Sequence, residues 1–321
     1  GPDGFAADAT VECRFQPSGV GGSTPKFDCL LADGDDVKVK YGRDNPEVFS
    51  EVIASRLLAS LGFPTDRMYV VERVRCFGCP ADPFKALQCL NDGTPVTACF
   101  PKIDYTKATV FEDAVIERPI KGRRIEMRRS RGWRWDELAK IDPAAGGAPL
   151  AHVDALRLMA VYLGHWDNKD KNQRLLCLDE SKDEKKADKN GLPCARPLAM
   201  VQDLGDAFGP FKLDLEGWRQ LPVWKEASSC RVSMRTLPYG GSTFPDTTIS
   251  EAGRAFLAER LRGVTKAHLR ALVEGAHLDR YRPAEGRAAS LDDWADAMLT
   301  KIRAITDRPP CPAVTAAAPR R

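Results

Sequence analysis

Gly164-His165-Trp166-Asp167-Asn168-Lys169-Asp170-Lys171-Asn172 is the stretch on which the reading of this chain turns. It follows an apolar segment, 151–164, that reads as a buried helix through Leu156, Leu158, Met159, Val161, Tyr162 and Leu163. A short strand-like run, 174–178, comes next, and a second one, 197–201, leads straight into Gln202-Asp203-Leu204-Gly205. A phosphoryl-transfer site needs one carboxylate to orient the attacking hydroxyl or accept its proton. It also needs an amide and a second carboxylate to hold Mg2+ against nucleotide phosphates. Asp167 and Asn172 stand five apart on one loop, so one can face a substrate and the other a metal ion. Asp203 arrives on the next strand, and Gly205 permits a sharp turn after it.

Working outward to the N-terminal side, Lys26–Leu31 and 36–41 alternate as a hairpin around Asp33-Gly34-Asp35. Asn45 as N-cap and Pro46 at the first helical position then start a helix. Val48, Phe49, Val52, Ile53, Leu57, Leu58 and Leu61 give it one apolar face, and Gly62 and Pro64 end it. Strands are expected at 68–74 and 109–120. Between them, 76–107 is rich in Cys, Pro and Asp and reads as an insertion or long loop. Lys38 and Lys40 are two apart on one strand and share a face, which makes them the candidates for a phosphate-holding lysine. Glu47 and Glu51 share a helix face. Glu47 sits in the first turn, where an acid serves the helix dipole, so Glu51 is the expected partner and Lys40 the favoured lysine. Gly19-Val20-Gly21-Gly22-Ser23-Thr24-Pro25-Lys26 is a small-residue turn; Gly21, Gly22 and Ser23 can lay backbone N–H groups on phosphates.

These motifs resemble the protein-kinase signature. His165-x-Asp167-x-Lys169-x-x-Asn172 is similar to the catalytic-loop pattern H-x-D-x-K-x-x-N, and Asp203-Leu204-Gly205 to the D-F-G metal motif. Trp166 stands where the pattern has Arg, Leu204 where it has Phe, and no A-P-E follows, which points to an atypical kinase. The glycine turn looks like the G-x-x-P-K loop of HipA-type kinases, a group within reach of the phosphatidylinositol kinases, and Asp167…Lys171-Asn172 resembles that group's D-x-x-x-K-N catalytic loop. The resemblance covers roughly residues 18–60 and 110–210. It implies an α+β, two-lobed protein-kinase-like fold with a β-rich N-lobe and a helical C-lobe. It also implies ATP and Mg2+ as cofactors, Asp167 as base, Lys169 on the transferring group, Asn172 and Asp203 on the metal, and Lys40 or Lys38 on the phosphates. The alternatives are a nucleotide-binding pseudokinase and an enzyme of the same fold that transfers AMP. The phosphate acceptor, whether protein, lipid, sugar or small molecule, is not encoded in these motifs.

The rest of the chain bounds these readings. Its 321 residues, 43% hydrophobic, suffice for two lobes with a core. The expected division is 1–120, 121–307 with helices at 251–274 and 291–305, and a disordered Pro/Ala-rich tail, 308–321. A net charge of +3 does not mark a nucleic-acid binder, and nothing approaches the roughly 20 apolar residues of a membrane span. The charged run 179–190 reads as a solvated hairpin tip. The basic stretch 121–135, with Trp133 and Trp135, is either a substrate grip or a linker with packed tryptophans. Ten cysteines are many for a cytosolic chain of this size. Cys76, Cys79, Cys89 and Cys99, a C-x2-C followed by two nine-residue gaps, suit two disulfides, a zinc site or reduced thiols. Gly1-Pro2 has the look of a tag scar, which leaves room for a removed signal peptide. Export to a periplasmic or extracellular space is favoured over the cytoplasm.

Overall fold

The computed structural model describes residues 4–6, 8–126, 131–179, 193–238, 243–284 and 288–312. The expected hairpin tip at 180–190, Arg128 and Arg129 of the basic stretch, and 313–321 of the tail lie outside the described residues. The sheet-rich N-terminal region and the helical C-terminal region expected from the sequence are both present. The chain forms two compact units, one of 1–56, 66–120 and 273–288, the other of 57–65, 121–272 and 289–321.

In the first unit, β1 (Thr10–Gln16), β2 (Lys26–Leu31), β3 (Asp36–Lys40), β4 (Arg67–Phe77) and β5 (Ala108–Arg118) close into a barrel in the order β1-β2-β3-β5-β4. All neighbours are antiparallel except β1 and β4. Strand alternation sends Val11, Cys13, Phe15, Phe27, Cys29, Val37, Val39, Val74 and Cys76 into one core, and closure leaves no free sheet edge. The opposite faces of β2, β3 and β5 bring Lys26 opposite Lys40 and Lys38 opposite Glu117. Helix α1 (Pro46–Ser60) follows β3. It is buried on nearly every side rather than along one face: Glu47, Ser50, Glu51 and Ser55 are buried with its apolar residues. A carboxylate held there needs a cation or hydrogen-bond donors to replace water.

The stretch 76–107 is not one long loop. Its first two residues end β4, and α2 (Pro83–Leu87), a 3-10 turn (Gln88–Asp92) and α3 (Val96–Cys99) follow. Asp82 caps α2, and Leu87 is completely buried in the barrel core cluster. Cys76–Cys79 and Cys89–Cys99 are disulfides, which removes the zinc alternative for these four residues. Cys13–Cys29, Cys177–Cys194 and Cys230–Cys311 take up the other six cysteines.

In the second unit, β6 (Arg123–Arg124), β7 (Gln173–Cys177) and β8 (Pro197–Val201) form a three-stranded sheet. Helices α4 (Trp135–Leu138), α5 (Leu150–Leu163) and α6 (Leu215–Gln220), the strand pair β9 (Arg231–Val232) and β10 (Thr247–Thr248), and helices α7 (Glu251–Leu261), α8 (Lys266–Gly275) and α9 (Leu291–Thr306) complete the chain, α8 running on into the residues of the first unit. The single helix expected over 251–274 is thus two. Gly263 interrupts it, and Thr265 restarts it by accepting the His268 N–H on its hydroxyl (3.2 Å). Trp218, fully buried, meets Tyr162, Phe208 and Trp294 edge-on or tilted at the heart of this unit. Residues 308–312, expected as the start of the tail, are instead pinned: Cys311 is bonded to Cys230 and its N–H donates to Glu251 (2.6 Å).

Candidate active site

The catalytic-loop candidate begins where α5 stops. Gly164 adopts φ 65°, and the His165 N–H reaches back to the Ala160 carbonyl (2.9 Å), closing the helix end. Trp218 Nε1 caps the Tyr162 carbonyl (2.8 Å) from α6, so the exit of the helix is fixed on both sides. Asp167 then engages both carboxylate oxygens. Lys169 Nζ pairs with Oδ1, and Asn172 Nδ2 donates to Oδ2 (2.9 Å) and to the Asp167 carbonyl (2.8 Å). The Asn172 carbonyl accepts the N–H groups of Gln202 and Asp203 (both 3.3 Å). Asp167, Lys169, Asn172 and Asp203 are therefore brought together, the last by backbone bonds from the end of β8. The Asn172 side-chain nitrogen is committed to Asp167, and the remaining polar atoms of the two side chains are the Asn172 amide Oδ1 and the Asp203 carboxylate. Both are hard oxygen donors of the kind Mg2+ takes, so this pair fits the ion that the motif implies.

His165 braces this loop. Its ring is buried, and Nδ1 donates to the Asp206 carbonyl (3.3 Å). Burial pushes its pKa below the ordinary value, and the Asp206 carbonyl with the charges of Asp203 and Asp167 does not restore it. A neutral, buried imidazole bound to backbone holds geometry rather than exchanging protons with substrate.

Trp133 and Trp135, which the sequence reading left as part of a substrate grip or as packed tryptophans of a linker, hold the loop from the other side. Trp135 Nε1 donates to Asn168 Oδ1 (2.8 Å), and Asn168 Nδ2 donates to the His165 carbonyl (2.6 Å). Trp133 Nε1 donates to the Met200 carbonyl on β8 (3.1 Å). Both tryptophans are buried, so these aromatics of the basic stretch are packed pegs and not part of an exposed grip. Gly132 is required next to them. Its φ is 68°, and a Cβ there would stand 2.2 Å from the Gln173 carbonyl and 2.4 Å from that of Asp170. The sequence signal was the Gly-Trp-x-Trp run, but its partners lie far along the chain.

The first unit carries the second cluster. Lys40 Nζ pairs with Glu51, side chains 4% and 2% exposed. Lys38 is more open, at 33%, and stands 3.6 Å from Glu117, whose other oxygen is 3.6 Å from Lys40. Burial pushes the Glu117 carboxyl up, but Lys38, Lys40 and Lys26 outweigh it and hold it below the usual value; Glu117 in turn raises Lys38. Glu117 is a site residue the sequence reading missed. Its only signal was an acid on the outward alternation of an apolar strand. Gly21, Gly22 and Ser23 are exposed, and Gly22 takes φ 80° with Lys26 Nζ 3.1 Å from where its Cβ would be. The lysine nearest the glycine turn is thus Lys26. Glu47 is tied to that turn by the Thr24 hydroxyl.

No protein-family profile matches the chain, and no curated protein does. Among solved structures, a Helicobacter pylori proinflammatory kinase, CtkA, aligns over 93% of this chain and 98% of its own at 10% identity and TM-score 0.47. The Golgi casein kinase aligns over 94% and 73% at 13% identity and TM-score 0.43. The Rio2 kinase from Chaetomium thermophilum aligns over 82% and 71% at 13% identity and TM-score 0.31. A pseudokinase, GRMZM2G135359, also aligns, over 96% of this chain and 98% of its own at 11% identity and TM-score 0.23, and the Golgi casein kinase has also been solved with Mn/ADP bound.

Proposed function

We propose that the chain is an ATP- and Mg2+-dependent phosphotransferase, an atypical kinase akin to the HipA-type and phosphatidylinositol-kinase-like groups, acting on a hydroxyl acceptor. The observation that carries this reading is the bonded set of Asp167, Asn172 and Asp203 in one loop cluster. Residues 1–120 are the nucleotide-binding lobe in this reading and 121–307 the catalytic lobe. Asp167 orients the acceptor hydroxyl and takes its proton as the oxygen attacks the γ-phosphorus and the bond to the ADP oxygen breaks. Lys169, on the Asp167 carboxylate, is placed to neutralise charge on the transferring group. Asn172 and Asp203 would hold Mg2+, which when bound neutralises phosphate oxygens. Lys40, fixed by Glu51, holds phosphates, with Lys38 on the other side of Glu117, and the Gly21-Gly22-Ser23 backbone N–H groups bind phosphates in the same reading. Five disulfides support an exported, oxidising location. Among the described residues no helix is long and apolar enough to cross a membrane.

The test is calorimetry of ATP with Mg2+ alongside transfer assays on three proteins. The wild type binds and transfers. Asp203→Ala loses the Mg2+-dependent part of binding. Asp167→Asn keeps binding and loses at least about a hundredfold in rate, because a positioned acid–base group contributes 10²–10⁴. An Asp203→Ala protein with normal binding removes Asp203 from the site, and an equally active Asp167→Asn protein removes the base. Binding without transfer in the wild type favours a pseudokinase. A nucleotide rather than a phosphate on the product, read by mass spectrometry, favours AMP transfer.

A further inference from the structure

We propose that the Cys-rich insertion is a brace for the glycine turn, with Asn91 as the positioning residue and the Cys89–Cys99 disulfide as the lock that keeps Asn91 in place. The proposal rests on the nucleotide-binding reading of that turn. A turn containing Gly19, Gly21 and Gly22 has wide backbone freedom, and Gly21, Gly22 and Ser23 are exposed. If such a turn is to present its N–H groups to phosphates, affinity depends on how far it is ordered beforehand.

The turn is held at both ends, by different parts of the first unit. On the far side, the Thr24 hydroxyl bonds Glu47 in the first turn of α1, and Asn45 Nδ2 reaches the Pro25 carbonyl (3.5 Å). On the near side the contact comes from the insertion. Asn91 Nδ2 donates to the Val20 carbonyl (3.2 Å), and a Cβ on Gly19 would stand 3.6 Å from Asn91 Oδ1. Asn91 Nδ2 also bonds Gln88 Oε1 (2.8 Å), which sets the orientation of the amide.

The 3-10 turn that presents Asn91 is five residues long, far too short to persist alone. Three features hold it. Leu87, immediately before it, is buried in the barrel core. Gly93, at φ 78°, ends it by donating to the Leu90 carbonyl (3.1 Å). Cys89–Cys99 ties it to α3, after which Phe100 stacks edge-on against Phe15 of β1 (5.5 Å) and Tyr105 donates to the Phe15 carbonyl (3.2 Å). The disulfide thereby connects the residue that touches the turn to the part of the insertion anchored on the barrel wall. In this arrangement, reducing one disulfide loosens the glycine turn without touching any residue of the turn itself.

The experiment pairs hydrogen exchange of residues 17–25 with ATP affinity and steady-state kinetics, in Mg2+, on wild type, Asn91→Ala, Asn91→Gln and Cys89→Ser/Cys99→Ser. Asn91 is exposed, so its variants test the contact without a core defect. Asn91→Ala is expected to speed exchange in 17–25 and weaken ATP by about 2- to 10-fold, the range that one neutral hydrogen bond carries. KM should rise and kcat stay. Asn91→Gln, which keeps the donor, should recover part of both, and the double serine variant should match or exceed the alanine effect. Unchanged exchange in Asn91→Ala overturns the brace, whatever the nucleotide result. Faster exchange in a chain whose wild type binds no ATP upholds the brace and sinks the nucleotide reading instead.

Discussion

Two cation–carboxylate pairs, one in each unit, are built on opposite terms. Lys40–Glu51 is sealed, with side chains 4% and 2% exposed. Lys169–Asp167 is open, at 32% and 16%. In the sealed pair neither charge can turn to water, so each depends on the other, and Glu117 is the nearest reserve for Lys40. In the open pair the lysine can leave Asp167 and be rehydrated at little loss. The difference suits a division of labour in the proposed reaction. A lysine that holds a nucleotide must not move between turnovers, whereas a lysine beside the base must be able to follow the group being transferred.

The largest effect should come from the sealed pair. Glu51→Gln is expected to lower unfolding stability by about 3 kcal/mol, the lower end for stranding a buried charge, because Glu117 takes part of the load. Urea denaturation measures this, and a loss under about 1 kcal/mol would place the pair in the same class as the open one. Replacing both partners, as Lys40→Met with Glu51→Leu, should recover much of the loss, since no lone charge remains.

A middle-sized effect sharpens the comparison by pH. Folded His165 is held neutral by burial, whereas the unfolded imidazole titrates near 6.5. The unfolded chain therefore takes up a proton first. The stability contributed by the neutral ring is complete above about 6.5 and falls as pH drops below it, by about 1.4 kcal/mol per unit until the folded pKa is reached. Urea midpoints at pH 7.5 and 5.5 should separate less in His165→Asn than in the wild type. An equal separation in both proteins would mean that the ring is not buried neutral.

The smallest effect belongs to the open pair. Lys169→Ala should change stability by at most about 1 kcal/mol, as partly exposed ion pairs do, even as it slows transfer. A stability loss rivalling that of Glu51→Gln would erase the contrast between the two pairs.

Much of this arrangement was legible in the sequence. The helix from Pro46, the hairpin around Gly34 and the strand leading into Asp203 follow from caps, turn residues and alternation, all of which act over a few residues. The grouping of Asp167 with Asn172 follows from their spacing on one loop. The five-strand closure was not legible, because β1 pairs in parallel with β4, more than fifty residues away. Nor was the break at 262–265 within the apolar periodicity of 251–274, since one glycine in a helical pattern is compatible with either outcome.

Sequence by itself determined which chemical groups exist, in what order, and which face of its element each takes, because backbone geometry imposes periods of 2 and 3.6 on any chain of these residues. Tertiary structure alone decided their company. It set Glu117 beside Lys38 and Lys40, made Trp133 and Trp135 supports of the loop that carries Asp167, put Asn91 against the glycine turn, and sorted ten cysteines into five pairs. The reason is that a buried charge or donor takes whichever partner packing delivers. Packing joins segments whose separation along the chain leaves no local pattern to read.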